Sequence, residues 1–486
     1  MNPGQRLATP WAPASALYSA PGSLILKLTL GEAPDAIPAA ADVRRGAQSA
    51  AAKTGHGPVD RILRRFSEEV RIARLHTAAA ATGLATRSLG AGHRGFNDLE
   101  HAIGLARTFR VNTERGCAIA NLIDSLRQLE MVEAASPRYL CALPFNGAAA
   151  PAMALDQDQA WRPRDLINAP EAMAYEPGDP AVVVAIVDTG VTLAHLELQT
   201  RLRAGWDTVQ LEMRELAAGI QLTGDERGVD TDPTDEVGHG TSCAGIIGAL
   251  GERIPPGLAG DCSLLPVRVL GSAKVPGKTD PIGIGAISDI DMGVKRAIDL
   301  GAKVINMSFG TAESALDPND PRPHEDVVRY GLARGCVMIA ASGNDGSENR
   351  YLPAALDGVI AVGSVNTEGQ PSVFSTRGEH VALSAPGEQI VSTGIHGYQL
   401  ATGTSFAAPF VSAAAALLVS RALRKSYPLD GRDVRRILCA SARGWPERMA
   451  IGESKGRGAG VLDAVAALRR LDREIAQSGM SNEEGE

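Results

Sequence analysis

From Pro180 onward the chain alternates short β-rich runs with helical stretches, and this alternation admits few architectures. Residues 182–187, 264–270, 304–307, 337–341 and 359–362 are apolar runs of strand length. Residues 241–250, 287–300, 323–334 and 405–423 fit helices. Near-continuous apolar strands are buried on both faces, so the pattern predicts a parallel sheet with helices on either side. The fold class is therefore α/β, a doubly wound parallel sheet. Open sheets of this kind place their sites at strand ends and helix starts.

Three segments put reactive side chains at such positions. VVVAIVDTG (182–190) is a buried strand that ends in Asp188. GHGTSCAG (238–245) opens a helix with His239 between two glycines. GTSFAAP (403–409) opens another helix with Ser405. A serine hydroxyl is a poor nucleophile until a neighbouring base takes its proton, and that base needs a carboxylate to fix its tautomer. Asp188, His239 and Ser405 supply those three groups, in the chain order Asp, His, Ser. On the three motifs together the chain resembles the subtilase family of subtilisin-like serine proteases.

The resemblance implies a subtilisin-like sheet, an Asp188–His239–Ser405 triad and an acyl-enzyme route to peptide hydrolysis. It also implies an oxyanion donor. VMIAASGNDG (337–346) ends a strand in the A-x-G-N context, and Asn344 matches the asparagine that fills this role in the family. Two other readings compete. One keeps the fold as a regulated binding switch with the N-terminal part held in the cleft. The other takes Asp188-Thr-Gly as half of a dimeric aspartic protease, which needs two carboxylates sharing a proton. No second Asp-Thr-Gly or Asp-Ser-Gly occurs in the chain.

The chain before residue 180 is organised differently. Residues 23–31 read as a strand and 35–57 as an Ala-rich loop. Residues 59–80 have the apolar spacing of one amphipathic helix, 108–111 of a strand, 115–130 of a helix and 131–135 of a closing strand. That order predicts a small α+β module. It sits where subtilases carry an inhibitory propeptide, and residues 123–140 resemble the end of one, with a tail entering the cleft. The expected division is a flexible leader over 1–20 and a propeptide-like inhibitory domain over 21–142. A linker with a candidate processing region follows over 143–163. The peptidase domain spans 164–470, and a disordered acidic tail 471–486. Cleavage is expected between Cys141 and Gln157.

Composition narrows the partners. The net charge is −8 with no long basic run, which points away from nucleic acid and anionic membranes. No secretory signal is seen at the N-terminus and no apolar run spans a bilayer, so the expected compartment is the cytoplasm. The expected state is a monomer. The six cysteines have no zinc spacing, and Cys243 and Cys336 read as small apolar core residues. The expected substrate is an extended peptide or unfolded protein. By resemblance, Ser308, Phe309 and Gly310 line one wall of its pocket and Ala341, Ser342 and Gly343 another, with INMSFGT (305–311) as the edge that pairs with substrate. No cofactor is required. Calcium, bound by many subtilases, is unsupported: Glu197 stands where an aspartate is frequent, and the loop GERIPPGLAG (251–260) lacks Asn and Asp ligands. The acidic stretch 224–236 reads as a solvated surface insertion.

Overall fold

The computed structural model describes residues 18–34, 36–79, 95–143, 150–151, 157–216, 219–226, 228–445 and 455–483. Its centre is a seven-stranded parallel sheet in the order 381–386, 360–365, 337–341, 304–307, 183–188, 263–268, 206–207. Val183–Asp188 runs between Val304–Met307 and Ser263–Arg268, parallel to both. Alternate residues of this strand face opposite layers. Val184 and Ile186 meet the helices His239–Gly248 and Thr404–Arg424, while Val183, Ala185 and Val187 meet Ile287–Asp299 and Glu325–Ala333. The sheet is thus apolar on both faces, as a doubly wound fold requires. Thr404–Arg424 is long and apolar enough to cross a bilayer, but most of it is buried as the core helix of one layer.

Four strands of the N-terminal part form an antiparallel sheet in the order Arg71–Arg74, Thr108–Asn112, Tyr18–Leu28, Val132–Ala142. Helices Gly57–Phe66 and Ile119–Arg127 close its core around Leu24, Leu26, Leu63, Phe109 and Leu122. The single helix predicted over 59–80 is corrected. It ends at Phe66, with Ser67 extended, and the chain becomes the Arg71–Arg74 edge strand. The Glu114 carboxylate accepts the N–H groups of Glu68 and Glu69 and fixes this break. The apolar residues Val70 and Ile72 then repeat at the spacing of a strand.

This antiparallel sheet does not stop at the module. Val132–Ala142 pairs with Ile282–Ala286, which continues through Gly271–Lys274 to Gln221–Thr223. Two further expectations change. Residues 157–163 of the linker lie in the helix Gln157–Leu166. The tail expected to be disordered from 471 continues as the helix Ala464–Glu483, because Leu468, Leu471 and Ile475 repeat at helical spacing and pack on the core. Most of the expected processing region, residues 144–149 and 152–156, lies outside the described residues.

Candidate active site

Asp188 closes its strand at the carboxyl edge of the sheet, fully buried. Its Oδ1 accepts the N–H of Thr189 at 2.7 Å and faces His239 Nδ1, also at 2.7 Å. The approach depends on glycine. A Cβ on Gly240 would lie 2.2 Å from the Gly190 carbonyl oxygen and 3.0 Å from Asp188 Cβ, so the helix comes this close only without one. The carboxylate is thus committed to one imidazole nitrogen. The ionisable group around it comprises His239 and Cys243.

The histidine helix is held at its start by Asp235, which is buried. Oδ1 accepts the N–H groups of Val237 and Gly238, each at 2.9 Å. Oδ2 accepts the N–H of Thr241 at 2.9 Å and its hydroxyl at 2.6 Å. This is a correction, since the stretch 224–236 was expected to be solvated. Asp230 and Asp232 are exposed, but Asp235 caps the helix and Glu236 pairs with buried Arg268 at 2.6 Å. An acid four residues before a histidine in a helix-opening segment was the available signal.

Ser405 lies in the first turn of Thr404–Arg424. Its hydroxyl donates to the Ser308 carbonyl at 3.1 Å. The adjacent Phe406 ring packs against His239, with centroids 5.1 Å apart. Cys243 joins the groups from below: its Sγ is 3.9 Å from Asp188 Oδ2 and 3.5 Å from the Ser405 carbonyl oxygen. Burial and the Asp188 charge push its thiol pKa up, which fits a packing role. Asn344 faces the same turn. Its Oδ1 accepts the Thr404 N–H at 2.8 Å and the Thr404 hydroxyl at 2.9 Å. Those two donors fix which half of the amide is oxygen.

The expected pocket walls are near the site, but several of their side chains are engaged elsewhere. Ser308 is buried and its hydroxyl donates to the Ser405 carbonyl at 2.8 Å. Phe309 belongs to the core and stacks edgewise on His324. Ala341 is buried and the Ser342 hydroxyl donates to the Thr376 carbonyl. Gly310 and Gly343 lie against Tyr351. Ile284–Ala286 pair antiparallel with Leu140–Ala142 of the N-terminal part, and Ser308–Gly310 follow Val304–Met307 outside any strand. Val304–Met307 lies inside the parallel sheet with both edges occupied.

At the position where the resemblance would place calcium, the loop's own N–H groups engage the acidic side chain. The Glu197 carboxylate, buried, accepts the N–H groups of Gly251 at 2.8 Å, Glu252 at 3.0 Å and Arg253 at 2.8 Å, and the Tyr398 hydroxyl at 3.1 Å. Burial pushes its pKa up, but these donors outweigh it and hold the group below the usual range. The anion is satisfied by the loop itself.

Comparison with known proteins agrees with this geometry. The Subtilase family model matches residues 179–475. Thermitase of Thermoactinomyces vulgaris is 35% identical over 261 residues, 52% of this chain and 80% of thermitase. The thermophilic serine proteinase of Bacillus sp. strain AK1 is 33% identical over 304 residues, 62% of this chain and 66% of that protein. A solved protease structure from Pseudoalteromonas arctica PAMC 21717 superimposes with a TM-score of 0.52 at 26% identity, covering 65% of this chain and 97% of the other. The chain belongs to the subtilase family of serine endopeptidases.

Proposed function

We propose that the protein is a self-inhibited precursor of an endopeptidase that works through Asp188, His239 and Ser405. The observation that carries this reading is the short Asp188–His239 hydrogen bond, made where the His239 ring packs on the residue after Ser405. In this mechanism the Ser405 hydroxyl attacks the peptide carbonyl while His239 takes its proton. Asp188 holds the ring with Nδ1 protonated and stabilises the imidazolium. Asn344 and the Ser405 backbone N–H stabilise the oxyanion. His239 then returns its proton to the leaving amine, and water hydrolyses the acyl-enzyme.

The N-terminal module is the inhibitor. Leu140, Cys141 and Ala142 pair antiparallel with Ala286, Gly285 and Ile284, and the Leu143 N–H donates to the Gly283 carbonyl at 2.9 Å. This is strand addition, the way an extended peptide binds an open sheet edge. The chain docks again beyond, where Ala150 and Pro151 pair with Leu400 and Gln399. Gln399 in turn donates to the Gly238 carbonyl beside His239 at 3.2 Å. With both flanks docked, the bond to be cut falls within residues 144–149. Fully buried Arg138 anchors the module to Glu215 at 2.8 Å and Asp289 at 3.0 Å. The same edge accepts other extended, unstructured peptides once the module leaves.

The test compares wild type with Ser405→Ala in peptide hydrolysis and in labelling by a serine-directed covalent probe. Both signals are expected in wild type only. Equal hydrolysis by the two proteins, or a rate that rises with acidity on every substrate, would reject the mechanism.

A further inference from the structure

Gly310 and Gly343, which the resemblance to subtilases puts on opposite walls of the recognition pocket, both lie against one ring. A Cβ built on Gly310 would lie 3.2 Å from Tyr351 Cβ and 3.5 Å from Cδ1. One built on Gly343 would lie 2.6 Å from Tyr351 Cδ2 and 2.8 Å from Cε2. Opposite edges of the phenol ring therefore face the two glycines, and the ring stands between the walls. It is buried, and two features keep it from swinging away. Tyr351 and Leu352 pair with Ala312 and Thr311, directly after Gly310. At the far end, its hydroxyl donates to Asp345 Oδ2 at 3.2 Å.

Asp345 follows Asn344, so this floor lies next to the oxyanion donor. Its carboxylate also accepts the Thr376 hydroxyl at 2.7 Å, the Asn349 amide at 2.6 Å, and the Ser347 hydroxyl at 2.8 Å and N–H at 3.0 Å. A carboxylate offers about four lone-pair sites. Five donors occupy them all, so Asp345 has no capacity left to anchor a substrate Lys or Arg. It serves to hold the Tyr351 hydroxyl.

We propose that Tyr351 is the specificity-determining residue, restricting the substrate residue on the carbonyl side of the cleaved bond to Gly, Ala or Ser. This rests on the serine endopeptidase reading above. The physical basis is volume. The ring already fills the space between the walls, and close-packed sites do not admit added bulk without strain. The same restriction applies to the chain's own linker, PFNGAA over 144–149. It favours cutting after Gly147 or Ala148 over cutting after Phe145.

The experiment uses the full chain and a series of otherwise identical peptides with Gly, Ala, Ser, Leu, Phe or Lys before the scissile bond, with Ser405→Ala as the blank. In wild type, kcat/KM for Ala and Ser should exceed that for Phe, Leu and Lys at least tenfold. Tyr351→Gly should raise the Phe-to-Ala ratio at least tenfold. Tyr351→Phe keeps the ring and should keep the wild-type ranking, which decides the matter if the glycine variant does not fold. Wild-type preference for Phe, Leu or Lys, an unchanged ratio in a folded Tyr351→Gly protein, or self-cleavage after Phe145 would overturn the inference while leaving the protease reading intact. Absence of turnover on every peptide, with Ser405 unlabelled, would overturn both.

Discussion

Arg138→Ala should open the cleft. The guanidinium is fully buried and makes four kinds of contact across the interface. They reach Glu215 at 2.8 Å, Asp289 at 3.0 Å, the Gln210 carbonyl at 2.8 Å and the Ser288 hydroxyl at 3.2 Å. Removing one member of a buried ion network costs about 3–5 kcal/mol, because the remaining charges stay buried without their partner. Here part of the loss is cushioned. Glu215 keeps Arg110 at 3.0 Å, and Asp289 keeps the Gln210 N–H at 2.9 Å. The expected cost is therefore near the lower limit, about 3 kcal/mol, which multiplies the undocked population by roughly 10². On the self-inhibition proposed above, a serine-directed probe reaches Ser405 only when the tail has left, so its labelling rate in the full chain reads that population. A rise of about two orders of magnitude is expected for Arg138→Ala. Arg138→Met combined with Asp289→Asn should recover much of the protection, since Glu215 keeps its partner Arg110 and Asp289 no longer leaves a buried charge. A rise of less than threefold for Arg138→Ala would refute the assignment of this residue as the anchor.

Three further outcomes are expected. Asn344→Ala should lower kcat by about 10²–10³ with KM little changed, a magnitude carried over from the equivalent donor of subtilisin; equal kcat would remove Asn344 from the oxyanion site. Excess chelator should leave the thermal midpoint unchanged, whereas Glu197→Ala should lower stability by about 1–3 kcal/mol by orphaning three loop amides, and a chelator-induced fall would point to a bound cation instead. His76 should make stability depend on pH. Burial, with Lys295 and Lys27 nearby, lowers its pKa to about 3, so the folded state disfavours the protonated ring. Its stabilising contribution is complete above the unfolded value of about 6.5 and is lost as pH falls from there towards 3, amounting to about 2 kcal/mol lost by pH 5. His76→Leu should flatten that slope in urea titrations at pH 7 and pH 5, and an unchanged slope would refute the assignment.

The parallel core was legible because buried strands are written as unbroken apolar runs. Residues 304–307 and 337–341 fall where the sequence puts them, and the strands ending in Asp188 and Arg268 lie within two residues of expectation. The segments carrying Asp188, His239 and Ser405 were legible as a strand end and two helix starts, because glycine marks the places where backbones must touch. The strands at 221–223, 271–274 and 282–286 were not legible. They are short and carry Gly or polar residues, and their pairing partners lie far away in sequence, on the N-terminal module for Ile282–Ala286. The break after Phe66 was hidden because Ile72 and Leu75 also fit a helical repeat, and only pairing with Thr108–Asn112 decides between the two. The C-terminal helix was hidden by its polar surface, as its apolar stripe is narrow. Asp235 and Tyr351 owe their roles to tertiary neighbours. One looks like part of an acidic loop and the other like an isolated aromatic until the His239 helix and the two glycines are in place.

The central claim is that Ser405 does the chemistry and that its first substrate is the chain's own linker. Intact mass of the purified protein over time, wild type beside Ser405→Ala, tests it most directly. The account predicts that wild type alone loses an N-terminal fragment ending within residues 144–149, while Ser405→Ala keeps its full mass. Loss of the same fragment at the same rate from the Ser405→Ala protein would contradict it.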